Sequence, residues 1–237
     1  MVMTMDTSKN MWRRNGRLNF LPNGLVLYAP LWHPQLNVSP FSAWNIADGG
    51  VHSCTVTGAT WGIQGRDFNG TTDFISIPDN AALDTLGSFS NGIWFKLDTL
   101  AVNQCLMSKE TGTRQQIQLY FRTATKDIYS ELWDGTNVSL AISLANSIDT
   151  VGKWYQVWGV LNKTVDLRLF INGAANGTPV TDITGSIINT AALQIGKRTV
   201  GGAIYLDGVV GEALILNRAL TAAEILHNYQ ITKWRYS

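Results

Sequence analysis

QQIQLYFRTATKDIYSELW, residues 115–133, carries two interleaved alternations in one short stretch. With Thr123–Lys126 as a turn, Arg122 faces Asp127, Tyr120 faces Tyr129, Gln118 faces Glu131 and Gln116 faces Trp133 across an antiparallel pair. The opposite side collects Ile117, Leu119, Phe121, Ile128 and Leu132. One side is therefore apolar core and the other polar and aromatic. A slip of one residue would scramble both, so this register is strongly specified.

Outward from that hairpin the chain repeats the same grammar. GLVLYAPL, SCTVTGATW, DFISI, NGIWFKL, VSLAISL, WYQVWGV, VDLRLFI, AALQIG and GEALILN are short β-branched or aromatic runs separated by Gly, Asn, Asp and Thr. Such spacing predicts an all-β sandwich or barrel rather than βαβ units. A second hairpin is expected to turn at Asn162-Lys163, placing Trp154, Trp158 and Val160 on one face with Val165, Leu167, Leu169 and Ile171. The strand VDLRLFI then ends in an Asn172-Gly173 turn. One helix is predicted near the C-terminus. Thr221 is its N-cap, Glu224 completes a capping box, and Ala222, Ile225, Leu226 and Tyr229 form its buried stripe.

The 237 residues are 45% hydrophobic and 15% charged, enough to bury a large core, and include nine tryptophans, which suit strands. A net charge of +1 supplies no field for nucleic acid or an anionic membrane. No apolar run approaches the roughly 20 residues of a membrane span, and residues 1–20 lack the apolar stretch of a signal peptide. Those first 20 residues are polar and carry Lys9, Arg13, Arg14 and Arg17. They read as an extension ahead of a sandwich at 21–237: a disordered tail, an arm docking on a neighbouring subunit, or a stretch upstream of a start nearer Met11. Cys54 and Cys105 are either a pair formed in an oxidising compartment or two buried thiols. The sequons at Asn37, Asn69, Asn137, Asn162 and Asn176 read as turn chemistry.

Three blocks resemble a known family. IADGGVHSCTVTGATWGIQGRDFNGTTDFISIPDNAALD (46–84) is similar to the opening of laminin-G-like domains, with its F-(D/N)-G-x-x-D-(Y/F) motif and I-P-D turn. KWYQVWGVLNKTVDLRLFINGAANG (153–177) resembles their Trp-initiated hairpin, and LDGVVGEALILNRALTAAEI (206–225) their closing strand and capped helix. In this order the blocks resemble the concanavalin A-like lectin/glucanase superfamily. That implies a jelly roll of two antiparallel sheets with Greek-key connections and one short C-terminal helix. The fold hosts lectins, adhesion modules, hydrolases and structural proteins alike, so function must come from a site.

The hydrolytic branch of that superfamily carries E-x-D-x-x-E, and no such pattern occurs here; Glu131 and Asp134 lack the second glutamate. His33, His52 and His227 stand in no catalytic or metal-binding spacing. The expectation is a protein that is not an enzyme and needs no cofactor. Calcium is the one metal the resemblance brings in. Gly211 stands where the family's closing motif often has Asp, while Asp48, Asp73, Asp207 and Glu212 could supply oxygens.

Sugar recognition needs aromatic platforms beside polar groups that read hydroxyls. Gln118, Tyr120 and Arg122 with Tyr129, Glu131 and Trp133 have that composition, and the loop Trp133-Asp134-Gly135-Thr136-Asn137 adds Asp134 and Asn137 at an edge. The same face also reads as an ordinary sheet surface held by Tyr–Tyr and Arg–Asp pairs, or as one covered by another protein. The expected partner is a carbohydrate or glycoconjugate, with no nucleic acid and no membrane insertion. The alternative is a structural or decoration protein of a virion or surface assembly, docked through residues 1–20.

Overall fold

A computed structural model describes residues 23–44, 51–84, 87–183 and 185–237. The expected N-terminal extension and Asp48 lie outside the described residues. In chain order the strands are β1 (Leu25–Pro30), β2 (Phe41–Trp44), β3 (Val51–Thr57), β4 (Thr60–Gly62), β5 (Gly65–Asn69) and β6 (Phe74–Ile77). Next come β7 (Phe89–Leu97), β8 (Gln104–Glu110), β9 (Gln115–Arg122), β10 (Asp127–Trp133), β11 (Val138–Ile142), β12 (Tyr155–Asn162) and β13 (Asp166–Ile171). The chain closes with β14 (Ala174–Ala175), β15 (Val180–Thr181), β16 (Leu193–Ile195), β17 (Lys197–Arg198), β18 (Ile204–Tyr205), β19 (Asp207–Leu216) and the helix α1 (Ala222–Thr232).

These strands make an antiparallel jelly-roll sandwich. The first sheet runs β2–β1–β19–β7–β12–β13, with β5 along the start of β19 and β14 and β15 along β13. The second runs β6–β16–β8–β9–β10–β11. Strand β3 joins the two, pairing with β2 over Val51–Cys54 and with β6 over Thr55–Thr57. Between the sheets lie Phe68, Ile75, Phe95, Leu106, Ile117, Leu119, Phe121, Ile128, Leu132, Val157 and Leu169. Full burial of each such aliphatic or phenyl side chain contributes about 1.5–3 kcal/mol. Cys54 and Cys105 are free and buried, and burial pushes the Cys54 thiol up to about 12.

The family motifs have direct physical roles. In Phe68–Phe74 the Asn69 side chain accepts hydrogen bonds from the backbone N–H groups of Thr71, Thr72 and Asp73, at 2.9, 2.9 and 3.3 Å, while Asp73 accepts from Asn69 N at 3.2 Å. The turn is thus held by its own side chains. The I-P-D loop is anchored by Lys109, a fully buried cation on β8 whose Nζ lies 2.9 Å from Asp79 and 3.0 Å from Asp84. Removing either carboxylate would leave a buried cation short of a partner, which is strongly destabilising.

The second hairpin departs from its expected register. Lys163, Thr164 and Val165 form a three-residue connection in which Thr164 takes φ +66° and Val165 N bonds Asn162 O at 2.9 Å. Trp158 therefore opposes Phe170 and Val160 opposes Arg168, away from Leu167, Leu169 and Ile171. Those three pack in the sandwich interior, while Trp158, Val160 and Phe170 join Leu25, Leu214, Leu216, Leu220 and Ile225 on the outer face. The Trp158 ring fits there because β7 offers Gly92 opposite it; a Cβ at Gly92 would come within 2.5 Å of the indole. The Asn172-Gly173 turn is present, with φ of +52° and +84°.

The helix α1 covers that outer face. Gln156 Nε2 donates to Asn228 Oδ1 at 2.7 Å and Trp94 Nε1 donates to Thr232 Oγ1 at 3.0 Å. The buried stripe is accordingly Ile225, Asn228 and Thr232, whereas Ala222 and Leu226 are exposed and Tyr229 is half-buried, stacked on Trp94. Polar side chains occupy the stripe because the strands beneath present Gln156 and the Trp94 N–H, which need partners when buried. The capping box is formed as expected, and Arg218 adds a two-pronged contact to Glu224 at 2.6 and 3.0 Å.

Those contacts hold the Glu224 carboxyl down at about 2, with the Arg218 guanidinium the largest cause. Because the folded value lies below the ordinary one near 4.3, the stabilisation is present above about pH 4.3 and is lost as pH falls through about 2. Thr221→Ala should cost about 1 kcal/mol in urea unfolding at pH 7. In Glu224→Gln, the acid-side decline in melting temperature between those pH values should become shallower; an unchanged slope would contradict this role.

Candidate ligand site on the outer face of the second sheet

The hairpin of β9 and β10 forms with the predicted turn, and its first pairs are Arg122 with Asp127 and Tyr120 with Tyr129. Arg122 grips Asp127 through two hydrogen bonds of 2.8 and 2.7 Å, and the tyrosine rings stack at 4.8 Å. Beyond Ser130 the register shifts, so that Trp133 opposes Gln115 rather than Gln116. Strand β8 records the same irregularity, with Lys109 opposite Ile117 but Glu110 opposite Gln115. Both neighbours thus place one extra residue in β9 near Gln116, which is a β-bulge.

The bulge sorts the three glutamines. Residues three apart in a regular strand point to opposite faces, yet Gln115 Nε2 donates to Gln118 Oε1 at 2.9 Å and to Glu131 O at 3.0 Å. Gln116 is turned away, donating to Leu83 O at 2.6 Å. The expected pairing of Gln116 with Trp133 is corrected by this one residue. On β10 the regular pairing with β11 keeps Tyr129, Glu131 and Trp133 on a common face opposite Ile142, Leu140 and Val138.

The centre of this face is closed. Gln118 is 0% exposed, Tyr120 3% and Tyr129 8%. The cover is a strap, residues 197–205, whose two short strands β17 and β18 pair with each other. Ile204 packs on Cys105, Tyr120 and Tyr129, and the Arg198 guanidinium lies 5.9 Å from the Tyr120 ring centre. Glu110 ties the strap down: it accepts from Val200 N at 3.2 Å and lies 3.4 Å from Arg198 Nε. Ser108 Oγ adds a 2.8 Å bond to Lys197 O. The tip, Thr199 and Gly201–Ala203, is exposed.

At the end of β10 and in the loop after it, Glu131, Trp133 and Asp134 are half-buried and Asn137 is exposed; Arg122, at the other end of the hairpin, is half-buried. Burial raises the Glu131 carboxyl, opposed by the nearby Arg198 charge, and it raises Glu110 in the same way. Asp134 is held below its ordinary value by the N–H groups of Asn137 and Thr136, which bond its Oδ1 at 2.7 and 2.8 Å. The Asn137 side chain adds a 3.3 Å bond from Nδ2 to Asp134 Oδ2, so both carboxylate oxygens brace the loop and Trp133 is its freer contact group. Gln118 Nε2 has no hydrogen-bond partner among the described residues.

The sequence reading brought together Gln118, Tyr120, Arg122, Tyr129, Glu131 and Trp133 and did not find Arg198, Glu110 or Gln115. The signal for the strap is the basic pair Lys197-Arg198 followed by Gly201-Gly202 between two strands. Two of the carboxylates considered for calcium have structural partners. Glu212 is fully buried and faces Arg235, at 3.4 Å, on the outer side of the first sheet, while Asp73 holds the Asn69 turn. Among the described residues no group of three or more His, Cys, Asp or Glu side chains is placed to hold a metal ion.

A laminin G family model, described as concanavalin A-like lectin/glucanases superfamily, matches residues 69–226. No curated protein matches the chain. Among solved structures, the fold is similar to botulinum neurotoxin type C, described as dependent upon interaction with two ganglioside molecules for entering cells. The TM-score there is 0.67 at 10% identity, covering 88% of this chain and 51% of that one. The binding domain of botulinum neurotoxin DC, in complex with rat synaptotagmin II, gives 0.67 at 12% identity, covering 88% and 52%. A Trypanosoma rangeli sialidase in complex with 2,3-difluoro-KDN gives 0.66 at 15% identity, covering 92% and 34%. The chain thus spans about half of the toxin chains and a third of the sialidase; at these identities the likeness is one of fold.

Glu110→Ala removes the strap's contacts through Val200 N and Arg198 at once, leaving the Ser108 bond to Lys197 O. Hydrogen exchange at the Val200 amide should accelerate markedly while amides of β9 stay protected. Equal loss of protection across β8, β9 and the strap would show that Glu110 stabilises the sheet rather than the cover.

Proposed function

The chain belongs to the concanavalin A-like lectin/glucanases superfamily, and from that premise we propose that it is a non-catalytic binding module for carbohydrate or a glycosylated surface. The observation that carries the reading is the end of β10 with the loop that follows it. There a half-buried tryptophan, Trp133, sits beside Glu131 and a side-chain-braced loop ending in the exposed Asn137, on a face whose inner polar groups, Gln115 and Gln118, are set by a bulge. A sugar offers an apolar C–H face and a rim of hydroxyls, and this arrangement opposes an aromatic surface and fixed polar groups to both.

Support also comes from the neighbours. The toxin whose cell entry depends on two ganglioside molecules and the sialidase in complex with 2,3-difluoro-KDN each contain a unit of the same fold. The protein-binding neighbour keeps a protein receptor as the outcome to be tested against. The pattern E-x-D-x-x-E is absent from the sequence, which supports binding without hydrolysis. No helix among the described residues is long and apolar enough to cross a membrane.

The test is a glycan array probed with the whole chain, followed by titration of any hit into Trp133→Ala. Loss of one stacking aromatic should weaken binding by roughly tenfold, on the order of 1–1.5 kcal/mol, with the melting temperature nearly unchanged because Trp133 is only half-buried. A fall of several degrees in melting would instead make Trp133 a packing residue. Binding confined to protein ligands would overturn the carbohydrate reading.

A further inference from the structure

Resting on that reading, we propose that Glu131, Gln118 and Arg198 at the strap form a subsite selective for a protonated amino sugar over neutral and acidic ones. The charge at the site is the first ground. Glu110 and Glu131 contribute two carboxylates and Arg198 one guanidinium, leaving one negative charge in excess when all are ionised. The other nearby cation, Arg122, is already paired with Asp127. Lys197 points elsewhere, its ammonium 4.0 Å from the Phe74 ring centre and 5.5 Å from that of Tyr205. An incoming carboxylate would meet excess negative charge beside half-buried groups, whereas an ammonium would neutralise it.

The hydrogen-bonding inventory is the second ground. Gln118 is fully buried, its Oε1 is taken by Gln115, and its Nε2 has no acceptor among the described residues. A buried amide donor without an acceptor is costly, and a sugar hydroxyl or ring oxygen meets that need. Glu131 lies on the same side as Gln118, half-buried, with its backbone oxygen held by Gln115, so the carboxylate and the buried amide belong to one cluster. The amide and the carboxylate together require a ligand with an acceptor beside a charged donor, which is the vicinal arrangement of an amino sugar.

Aromatic placement is the third ground. Tyr129 and Trp133 flank Glu131 at alternate positions of β10, on its own face. Aromatic faces attract an ammonium and also stack on the C–H face of a pyranose. The bulge at Gln116 brings Gln115 to this group, and bulges recur where a strand has to re-aim a side chain at a site. The strap tip, with Gly201 and Gly202 exposed, is the least buried part of the cover.

Calorimetric titration of the whole chain with chitotriose, its fully deacetylated counterpart and sialyllactose tests this, at a pH where the free amine is protonated. The deacetylated form should bind at least about tenfold more tightly than chitotriose, with sialyllactose weakest, and Glu131→Gln should shrink that preference to roughly twofold. The variant's melting curve is recorded alongside, so that loss of fold is not read as loss of selectivity. Equal affinities, a preference for sialyllactose, or a preference untouched by Glu131→Gln would overturn the subsite while leaving glycan binding standing. Failure of every sugar on the array and in the titration would overturn both.

Discussion

Rings and aliphatic side chains point outward as well as inward on this sandwich, and the rest of the structure follows from having to cover them. A two-sheet fold buries one face of each sheet without help. Here Trp158, Val160 and Phe170 occupy the outer side of the first sheet, and Cys105, Tyr120 and Tyr129 the outer side of the second. Left in water, each would forfeit the free energy of its apolar area. The chain answers twice with segments that are not part of the sandwich: α1 over the first sheet and the strap over the second.

The two covers differ in how firmly they are held. The helix is capped, clamped to Arg218 and tied to the sheet by Gln156–Asn228 and Trp94–Thr232. The strap has two strands of two residues each, one ion pair and a few hydrogen bonds, with a glycine-rich tip. A cover with few buried apolar contacts and exposed backbone belongs to the low-stability end of a protein. On the proposed reading, that difference leaves structure to one face and recognition to the other. Ligand can compete with a strap of this kind; it cannot compete with a capped helix seated on a tryptophan.

Much of this was legible in the sequence because alternation, turns and caps are local. Arg122–Asp127, Tyr120–Tyr129, the Asn172-Gly173 turn and the Thr221–Glu224 box all follow from short-range chemistry. What was hidden depends on single-residue insertions and on distant covers. The bulge near Gln116 leaves the hydrophobic pattern of β9 intact, since Ile117, Leu119 and Phe121 still face inward, yet it exchanges Gln115 for Gln116 on the outer face. A three-residue connection in place of two reversed the faces of β12 relative to β13 without any violation of pattern, because both faces there are apolar. Periodicity alone puts Leu226 in the helix stripe, but the sheet beneath offers polar partners and selects Asn228 and Thr232. Arg198 reaches Tyr120 and Glu110 only through the tertiary fold, 78 and 88 positions away along the chain.

The central claim is that the bulged, strap-covered face of the second sheet is where this family member meets a sugar. Side-chain NMR of the whole chain, with the Gln118 amide and the Glu131 carboxyl carbon followed during titration with glucosamine oligomers, tests it most directly. The account predicts that both resonances, the Val200 amide and the Trp133 indole shift together along one saturable curve. Saturable shifts confined to the other face, around Trp94 and Asn228, with Gln118 and Glu131 unmoved, would contradict it.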